Sequence, residues 1–181
     1  MHGLVVYESM FGSTRQIAEA AADGLKCGMD IQVVYADRVP GAALSDLDLI
    51  VVGAPTHVRG MPRPGTRKGA PDNARKPGSN LVLEPEADSR PGVREWLESL
   101  GDLRIRAAAF DTRVKGPAVV TGQASRGIAK SLKHLGANLI APPESFLVDK
   151  NSRLLSGEVD RARAWGVQLA KSAVARSATR S

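Results

Sequence analysis

Cysteine is almost absent from this sequence, which has a single one, Cys27, among 181 residues. One cysteine cannot build an internal disulfide framework, and no group of cysteines and histidines has the spacing of metal ligands. The sequence therefore predicts neither a disulfide nor a metal site. We expect Cys27, which falls at the end of a predicted helix, to be a partly buried structural thiol and not a reactive one.

Long apolar runs are also missing. No stretch approaches the roughly 20 residues that cross a bilayer. The N-terminus enters a strand without the charged and apolar regions of a signal peptide. We therefore expect a cytoplasmic protein with no membrane span. With 181 residues and 43% apolar composition, the chain should form one well-buried domain over residues 1–171, followed by a flexible tail over residues 172–181.

Aromatic residues make up only 4% of the chain, too few for an obvious platform on which nucleic-acid bases would stack. Basic residues exceed acidic ones by 25 to 19, which gives a net charge of +6. The excess is scattered, and no recognition helix, zinc finger or RNP-like motif is present. We expect no specific nucleic-acid partner, although the charge leaves nucleic-acid association open as a weaker alternative. The charge would also suit an acidic protein partner.

The most informative stretch lies near the N-terminus. The apolar run over residues 4–7 is followed at once by small hydroxyl residues and a glycine, a pattern that predicts a strand, a tight turn and a helix start. We expect Ser13 to be the N-cap of this helix, with Gln16 as its capping-box partner. The free N–H groups and the helix dipole would favour an anion in the turn. Neither G-x-x-x-x-G-K-[ST] nor G-x-G-x-x-G is present.

Strand and helix patterns then alternate along the chain. Five strands are predicted, at residues 4–7, 31–35, 47–53, 106–110 and 139–148. The last is interrupted by Pro142 and Pro143, as expected of an edge strand with a bulge. The unbroken apolar run from Leu49 to Val52 is typical of a strand that is buried on both faces. The alternation predicts an α/β fold with a parallel sheet.

One segment, residues 63–90, does not fit this alternation. It is rich in proline, glycine and basic residues, and no helix of normal length fits it. A short strand is predicted at Leu81 to Leu83. A long insertion loop of this kind is either functional, as a lid or binding loop, or a mobile solvated insertion.

Three stretches resemble the flavin-binding loops of flavodoxins and flavodoxin-like FMN proteins. Residues 9–14 match the hydroxyl-rich phosphate loop, roughly [ST]-x-[ST]-G-x-[ST], except that Phe11 stands at the middle hydroxyl position. Residues 54–62 resemble the second flavin loop, and residues 111–113 resemble the third. The resemblance implies a flavodoxin-like three-layer sandwich with a five-stranded parallel sheet in the order 2-1-3-4-5.

The resemblance also implies the cofactor, FMN, and the residues around it. The residues expected to hold the phosphate are Ser9, Met10, Phe11, Gly12, Ser13 and Thr14. Those expected to surround the flavin ring are Pro55, Thr56, His57, Val58, Asp111, Thr112 and Arg113. Because residues 54–62 contain no large aromatic side chain, His57, Met61 or Met10 would have to sandwich the ring instead.

The implied function is electron transfer between redox protein partners, a reductase and an acceptor, which would be acidic if charge decides the pairing. No catalytic residue is assigned. His57 could titrate near neutrality or could simply be an exposed loop histidine. Two alternatives stay open: a small FMN-dependent oxidoreductase of the quinone type, and a binding module that kept the fold and lost FMN. A response-regulator domain is excluded because Glu8 has no acidic neighbour in sequence.

Overall fold

The computed structural model describes residues 1–39, 44–75 and 81–178. The strands are β1 (His2–Tyr7), β2 (Asp30–Tyr35), β3 (Leu49–Pro55), β4 (Arg106–Val114), β5 (Asn138–Leu139) and β6 (Glu144–Val148). The helices are α1 (Ser13–Leu25), α2 (Pro64–Arg67), α3 (Ala70–Arg75), α4 (Val93–Glu98), α5 (Ala118–Thr121), α6 (Ala124–His134) and α7 (Glu158–Ala178). A 3-10 turn at Ala36–Arg38 follows β2.

The sheet confirms the predicted topology. All strand pairs are parallel, in the order β2-β1-β3-β4-β5, and β6 pairs with β4 beyond the end of β5. β5 lies beside Arg106 and Ala107, whereas β6 lies beside the stretch from Phe110 to Val114. The two short strands are thus the interrupted last strand that the sequence predicted. The two prolines that separate them cannot donate ladder hydrogen bonds.

Helices cover both faces of this sheet. The two central strands are buried on both sides because successive side chains of a strand point to opposite faces. Val6, Ile50 and Trp96 belong to one apolar layer, which also contains the inner face of α6. Val5 and Trp165 belong to the other layer, between the sheet and the helices α1 and α7. These layers fix where each strand ends, and so where the loops at its carboxyl end begin.

Helices α1 and α7 touch backbone to backbone. A Cβ atom added at Gly24 would lie 2.0 Å from the carbonyl oxygen of Arg163, and one added at Gly166 would lie 2.1 Å from the carbonyl oxygen of Ala21. No side chain can occupy either position without moving a helix axis. The two glycines therefore allow this close approach.

Several expectations from the sequence need correction. The predicted tail at residues 172–181 begins too early, because α7 continues to Ala178 and Ala173 is fully buried in the core. No strand forms at Leu81 to Leu83, where the chain runs alongside the loop after β1 instead. Cys27 is exposed, because α1 ends at Leu25 and the following turn projects outward.

The inserted segment holds two short helices in its described part, α2 with four residues and α3 with six. Residues 76–80 of this segment lie outside the described residues, as do residues 40–43 of the predicted crossover and residues 179–181 of the predicted tail. The single domain over residues 1–171 stays a prediction.

The close approach of α1 and α7 can be tested with paired substitutions. Gly24→Ala should destabilise the protein by about 1–3 kcal/mol through overpacking, although alanine favours helix by about 1 kcal/mol. Gly127→Ala in α6 is the matched control, because its Cβ would meet only the flexible end of Met61, at 3.3 Å. Urea unfolding would measure both. Equal stability of the two variants would contradict the backbone contact.

Candidate functional site

Three loops meet at the carboxyl edge of the sheet. The first loop (residues 8–12) follows β1, and the second loop (56–63) follows β3. The third loop (115–123), which contains the short helix α5, follows β4. Parallel strands bring their carboxyl ends to one edge, which is where open α/β sheets bind ligands. Residues 111–113, predicted as a loop, lie inside β4. They continue the strand because Asp111 and Thr112 pair with Ala54 and Pro55 of β3.

The first loop turns tightly into α1. Gly12, not Ser13, is the N-cap residue, with a φ of 88° that favours glycine. Ser9 Oγ accepts the N–H of Gly12 at 3.1 Å. The predicted capping box is therefore wrong. The Ser13 hydroxyl instead donates to the carbonyl of Ser152, and the Thr14 and Thr112 hydroxyls lie 2.7 Å apart.

The start of α1 leaves donors available. Within the described residues, the N–H groups of Ser13, Thr14 and Arg15 have no hydrogen-bond acceptor. These are the orphan donors of a first helical turn, and they lie at the positive end of a 13-residue helix. This arrangement suits a phosphate group.

The second loop contains a strained turn. His57 and Gly60 exchange backbone hydrogen bonds of 2.8 and 3.0 Å, and the residues between them, Val58 and Arg59, have φ values of 45° and 68°. Two positive φ values are typical of a type I′ turn, but they are costly for a β-branched valine. Arg59 forms a bridge with Gly122 of the third loop. The second and third loops are therefore joined.

Thr56 and Asp111 have a structural role that the sequence did not reveal. Thr56 Oγ1 accepts the N–H of Ala124 at 2.9 Å, and Asp111 Oδ2 accepts the N–H of Ser125 at 2.8 Å. These N–H groups belong to the first turn of α6, whose own N-cap residue, Gln123, provides no side-chain cap. The two strand ends therefore cap the helix.

Burial raises the pKa of Asp111, and hydrogen bonds, first that from the N–H of Ser125, act against this rise. The carboxyl group is fully buried and so does not reach the open edge of the sheet. Arg113 is engaged in a similar way, because its Nη1 donates to the Gly116 carbonyl at 2.7 Å and to Thr121 Oγ1 at 3.0 Å. This arginine shapes the third loop.

Most of the predicted site residues nevertheless line one small cavity, which we call the central cleft. Its volume is about 150 Å³, and its lining includes Met10, Phe11, Ser13, Thr14, Pro55, Thr56, His57, Thr112 and Arg113. Ser9, Gly12 and Asp111 are buried outside this lining, and Val58 is 82% exposed beside it.

Two larger cavities adjoin the central cleft. One of about 520 Å³ shares Phe11, Ser13 and Ser152 with it, and one of about 280 Å³ shares His57. Cofactor sites commonly enclose about 300–1,000 Å³, so a cofactor would occupy the central cleft together with a neighbouring cavity. Met61, considered for the ring sandwich, packs in the apolar core and lines only the 280 Å³ cavity.

A buried charge cluster lies behind the first loop. Arg67 of α2, which is 2% exposed, contacts the carboxylate of the fully buried Glu8 at 3.3 Å and that of Glu95 at 2.7 Å. The N–H of Val93 donates to the other Glu8 oxygen at 2.9 Å. We call Glu8, Arg67 and Glu95 the buried triad. Sequence reasoning missed it, since nothing local pairs residues 59 positions apart.

Burial affects the pKa values of Glu8, Glu95 and His57, and Arg67 acts on all three. Burial raises the pKa of Glu8, and the Arg67 charge opposes this rise. Burial also favours a higher pKa for Glu95, but hydrogen bonds from the Gly92 N–H and from Arg67 bring this pKa below its ordinary value. The pKa of His57 is lowered by burial and then by the Arg67 charge. His57 is therefore neutral at pH 7.

The inserted segment is tied to the first loop on two sides. Besides the Arg67–Glu8 pair, the N–H of Glu84 donates to the Met10 carbonyl at 2.8 Å, and Arg15 Nε lies 2.6 Å from Glu84 Oε1. The described part of the segment thus packs beside the candidate site, which favours a functional role over a passive insertion.

Among the described residues, no helix is both long and apolar enough to cross a membrane. In that same part of the chain, no three histidine, cysteine, aspartate or glutamate side chains gather as a metal site would require.

Comparisons with known proteins agree with this geometry. The sequence model of a family described as a flavodoxin domain matches residues 4–64, which include β1, the first loop, β3 and the second loop. No functionally curated protein matches the chain in sequence.

Solved structures of flavodoxins are similar over nearly the whole chain. A flavodoxin from the domain Archaea has 20% identity and a TM-score of 0.63, with coverage of 96% of this chain and 99% of that one. Flavodoxin 1 from Bacillus cereus has 18% identity and a TM-score of 0.64, with coverage of 94% and 98%. Rubredoxin oxygen:oxidoreductase from Desulfovibrio gigas has 15% identity and a TM-score of 0.61, and the match covers 96% of this chain but only 36% of that protein. The similar fold and the match to the family model together support a flavodoxin-like family for this chain.

The buried triad can be tested by removing its cation. Arg67→Met should destabilise the protein by about 3–5 kcal/mol, because it leaves a buried carboxylate unpaired. Lys26→Met is the matched control, since its partner Asp23 lies on the surface and the pair is more than half exposed; its cost should stay below about 1 kcal/mol. Adding Glu8→Gln to Arg67→Met should recover part of the loss in chemical unfolding.

The raised pKa of Glu8 predicts a specific pH dependence. The folded state holds this proton more tightly than the unfolded state, so the free energy of unfolding should fall as pH rises from the ordinary value of 4.5 through the raised folded pKa. Glu8→Gln should remove this part of the slope, as measured by unfolding across a pH series. An unchanged slope would mean that Glu8 does not titrate differently on folding.

Proposed function

We propose that this flavodoxin-like protein binds FMN at the carboxyl edge of its sheet and transfers electrons between redox partners. The observation that carries the proposal is the start of α1, where three N–H groups have no acceptor among the described residues and where Ser13 and Thr14 line the central cleft. The fold and its flavodoxin neighbours support a flavin cofactor of the FMN type.

The donor set fits a phosphate group. The N–H groups of Ser13, Thr14 and Arg15 would donate to its oxygens, and the helix dipole would favour its charge. The hydroxyls of Ser13 and Thr14, which contact Ser152 and Thr112 in this structure, would turn toward the phosphate and add two hydrogen bonds. Ser9 would keep the turn closed, because its Oγ accepts the N–H of Gly12 at 3.1 Å. The lining of the central cleft contains no carboxylate that would repel the phosphate.

The ring would lie between the second and third loops. Pro55, His57 and Thr112 line the central cleft there, and a neutral His57 could pack against the ring or donate a hydrogen bond. The bridge between Arg59 and Gly122 would hold the two loops at a fixed separation. When bound, the flavin supplies the redox chemistry, and the protein supplies binding and orientation.

A second candidate, a binding module that has lost FMN, is favoured by one observation. Phe11 occupies the place of a hydroxyl and lines a central cleft of only about 150 Å³. The direct way to separate the two candidates is the absorption spectrum of the purified protein, with the released cofactor identified by mass.

We propose a carrier that takes electrons from a reductase and passes them to an acceptor, in preference to an FMN-dependent oxidoreductase. The second and third loops carry Arg59, Arg63 and Lys115 and no acidic residue, and Arg113 lies beside them at the end of β4. A positive surface of this kind suits acidic partners. The cytoplasmic location stays a prediction.

The phosphate assignment can be tested with Ser13→Ala combined with Thr14→Ala. A hydrogen bond to a charged oxygen is worth about 1.5–3 kcal/mol, so the double variant should bind FMN at least about tenfold more weakly. Ser131→Ala on α6 is the control and should leave the affinity unchanged. FMN titration followed by fluorescence measures both; equal affinities would mean that these two hydroxyls do not bind the phosphate.

The carrier proposal predicts slow reduction by NADPH alone and fast reduction once a flavoprotein reductase is added. Because positive charge would steer the encounter, the reductase-dependent rate should fall as salt rises. Stopped-flow measurements over a salt series check this. Rapid saturable turnover of NADPH and a quinone without reductase would instead favour the oxidoreductase.

A further inference from the structure

A second cavity, which we call the arginine pocket, lies next to the central cleft. Its volume is about 280 Å³, and three arginines, Arg59, Arg63 and Arg94, are among the residues that line it. The rest of the lining comes from residues 57–61 and Thr66, and the described part of the chain contributes no aspartate or glutamate to it. The pocket therefore concentrates positive charge without a carboxylate to balance it.

Two carboxylates near the second loop, one buried and one partly buried, are already engaged by Arg67. Glu8 and Glu95 both contact Arg67, behind His57. Within the described residues, neither Arg59 nor Arg63 forms an ion pair, unlike Arg15 and Arg90 elsewhere in the chain. Two guanidinium groups thus remain free to bind an anion.

The third arginine is held in place by the protein itself. Arg94 Nε and Nη2 donate to the carbonyl oxygens of Pro62 and Met61, each at 3.2 Å. These bonds use neutral acceptors, so the charge of Arg94 is not cancelled. The strained turn at Val58 and Arg59, locked to Gly122, fixes the opposite wall. Arg94 and the backbone of the turn are therefore held in place, and the exposed side chains of Arg59 and Arg63 extend beside them.

Grouped cations in a half-enclosed cleft raise the local concentration of anions. The planar guanidinium group matches carboxylate and phosphate oxygens with paired hydrogen bonds. The volume of about 280 Å³ exceeds what one inorganic anion needs and approaches the lower end of small-molecule sites, about 300 Å³. The charge and the size together indicate a small organic anion.

We propose that the arginine pocket binds a small organic anion that carries carboxylate, sulfonate or phosphate groups. His57 is a wall of both this pocket and the central cleft, so the anion would lie beside the flavin ring. The position of the anion beside the flavin ring rests on the proposed function. The pocket provides a site for a charged substrate or electron acceptor that the loop sequences alone did not display.

The test uses terephthalate, a flat dianion, and terephthalamide, its uncharged analogue. Calorimetric titration at constant ionic strength should detect binding of terephthalate only. Arg59→Gln and Arg63→Gln should each weaken this binding by about tenfold or more, since each removes a charge-assisted contact. Arg63→Lys should keep part of the affinity. Circular dichroism confirms that each variant is folded.

Arg104→Gln is the matched control, because this exposed arginine lies just before β4, at the opposite edge of the sheet. Equal weakening by this variant would overturn the proposal, as would equally tight binding of terephthalamide or no binding of terephthalate. The titration is repeated after FMN is added, with flavin content followed by absorption. Terephthalate binding without FMN binding would reject the proposed function alone, whereas FMN binding without terephthalate binding would reject the pocket alone.

Discussion

The Arg67–Glu8 ion pair connects the parts of this molecule that surround the candidate site. Glu8 is the first residue after β1 and is fully buried, so its charge needs a partner inside the protein. Arg67 supplies that charge from the inserted segment and also holds Glu95 at the start of α4. One guanidinium group thus attaches the insertion to the first loop, while its charge helps to keep the neighbouring His57 neutral.

Several polar residues at the edge of the sheet stabilise the fold and the site together. Thr56 and Asp111 cap α6 from neighbouring strands, and the Thr14–Thr112 hydroxyl contact joins α1 to β4. A buried N–H or hydroxyl group without a partner is costly, so each of these contacts constrains the loops that a ligand would meet. Within the described residues, the first turn of α1 leaves three N–H groups without an acceptor at the carboxyl edge of the sheet.

Around the site, the charged side chains differ in burial according to their sign. Acidic side chains lie inside, where Arg67 or helix N–H groups neutralise them, and basic side chains line the open edge. Positive charge therefore predominates in the arginine pocket at this edge, although the chain as a whole carries only a modest excess of +6. The field of these charges favours the anionic end of a cofactor, an anionic small molecule in the arginine pocket and an acidic partner surface for the same physical reason.

Local pattern predicted most of the strands and the parallel sheet, because apolar runs and turn residues act over a few neighbouring positions. The order of the strands came from the resemblance to flavodoxins. The tight turn into α1 was equally visible in Ser9 to Thr14. Tertiary structure decided what no local pattern encodes: that Gly12 and not Ser13 caps α1, that Asp111 turns inward to α6, and that Glu8 meets Arg67 across 59 positions. It also brought Arg94 beside Arg59 and Arg63. Each of these depends on side chains that only the folded backbone brings within hydrogen-bonding or charge-pairing distance.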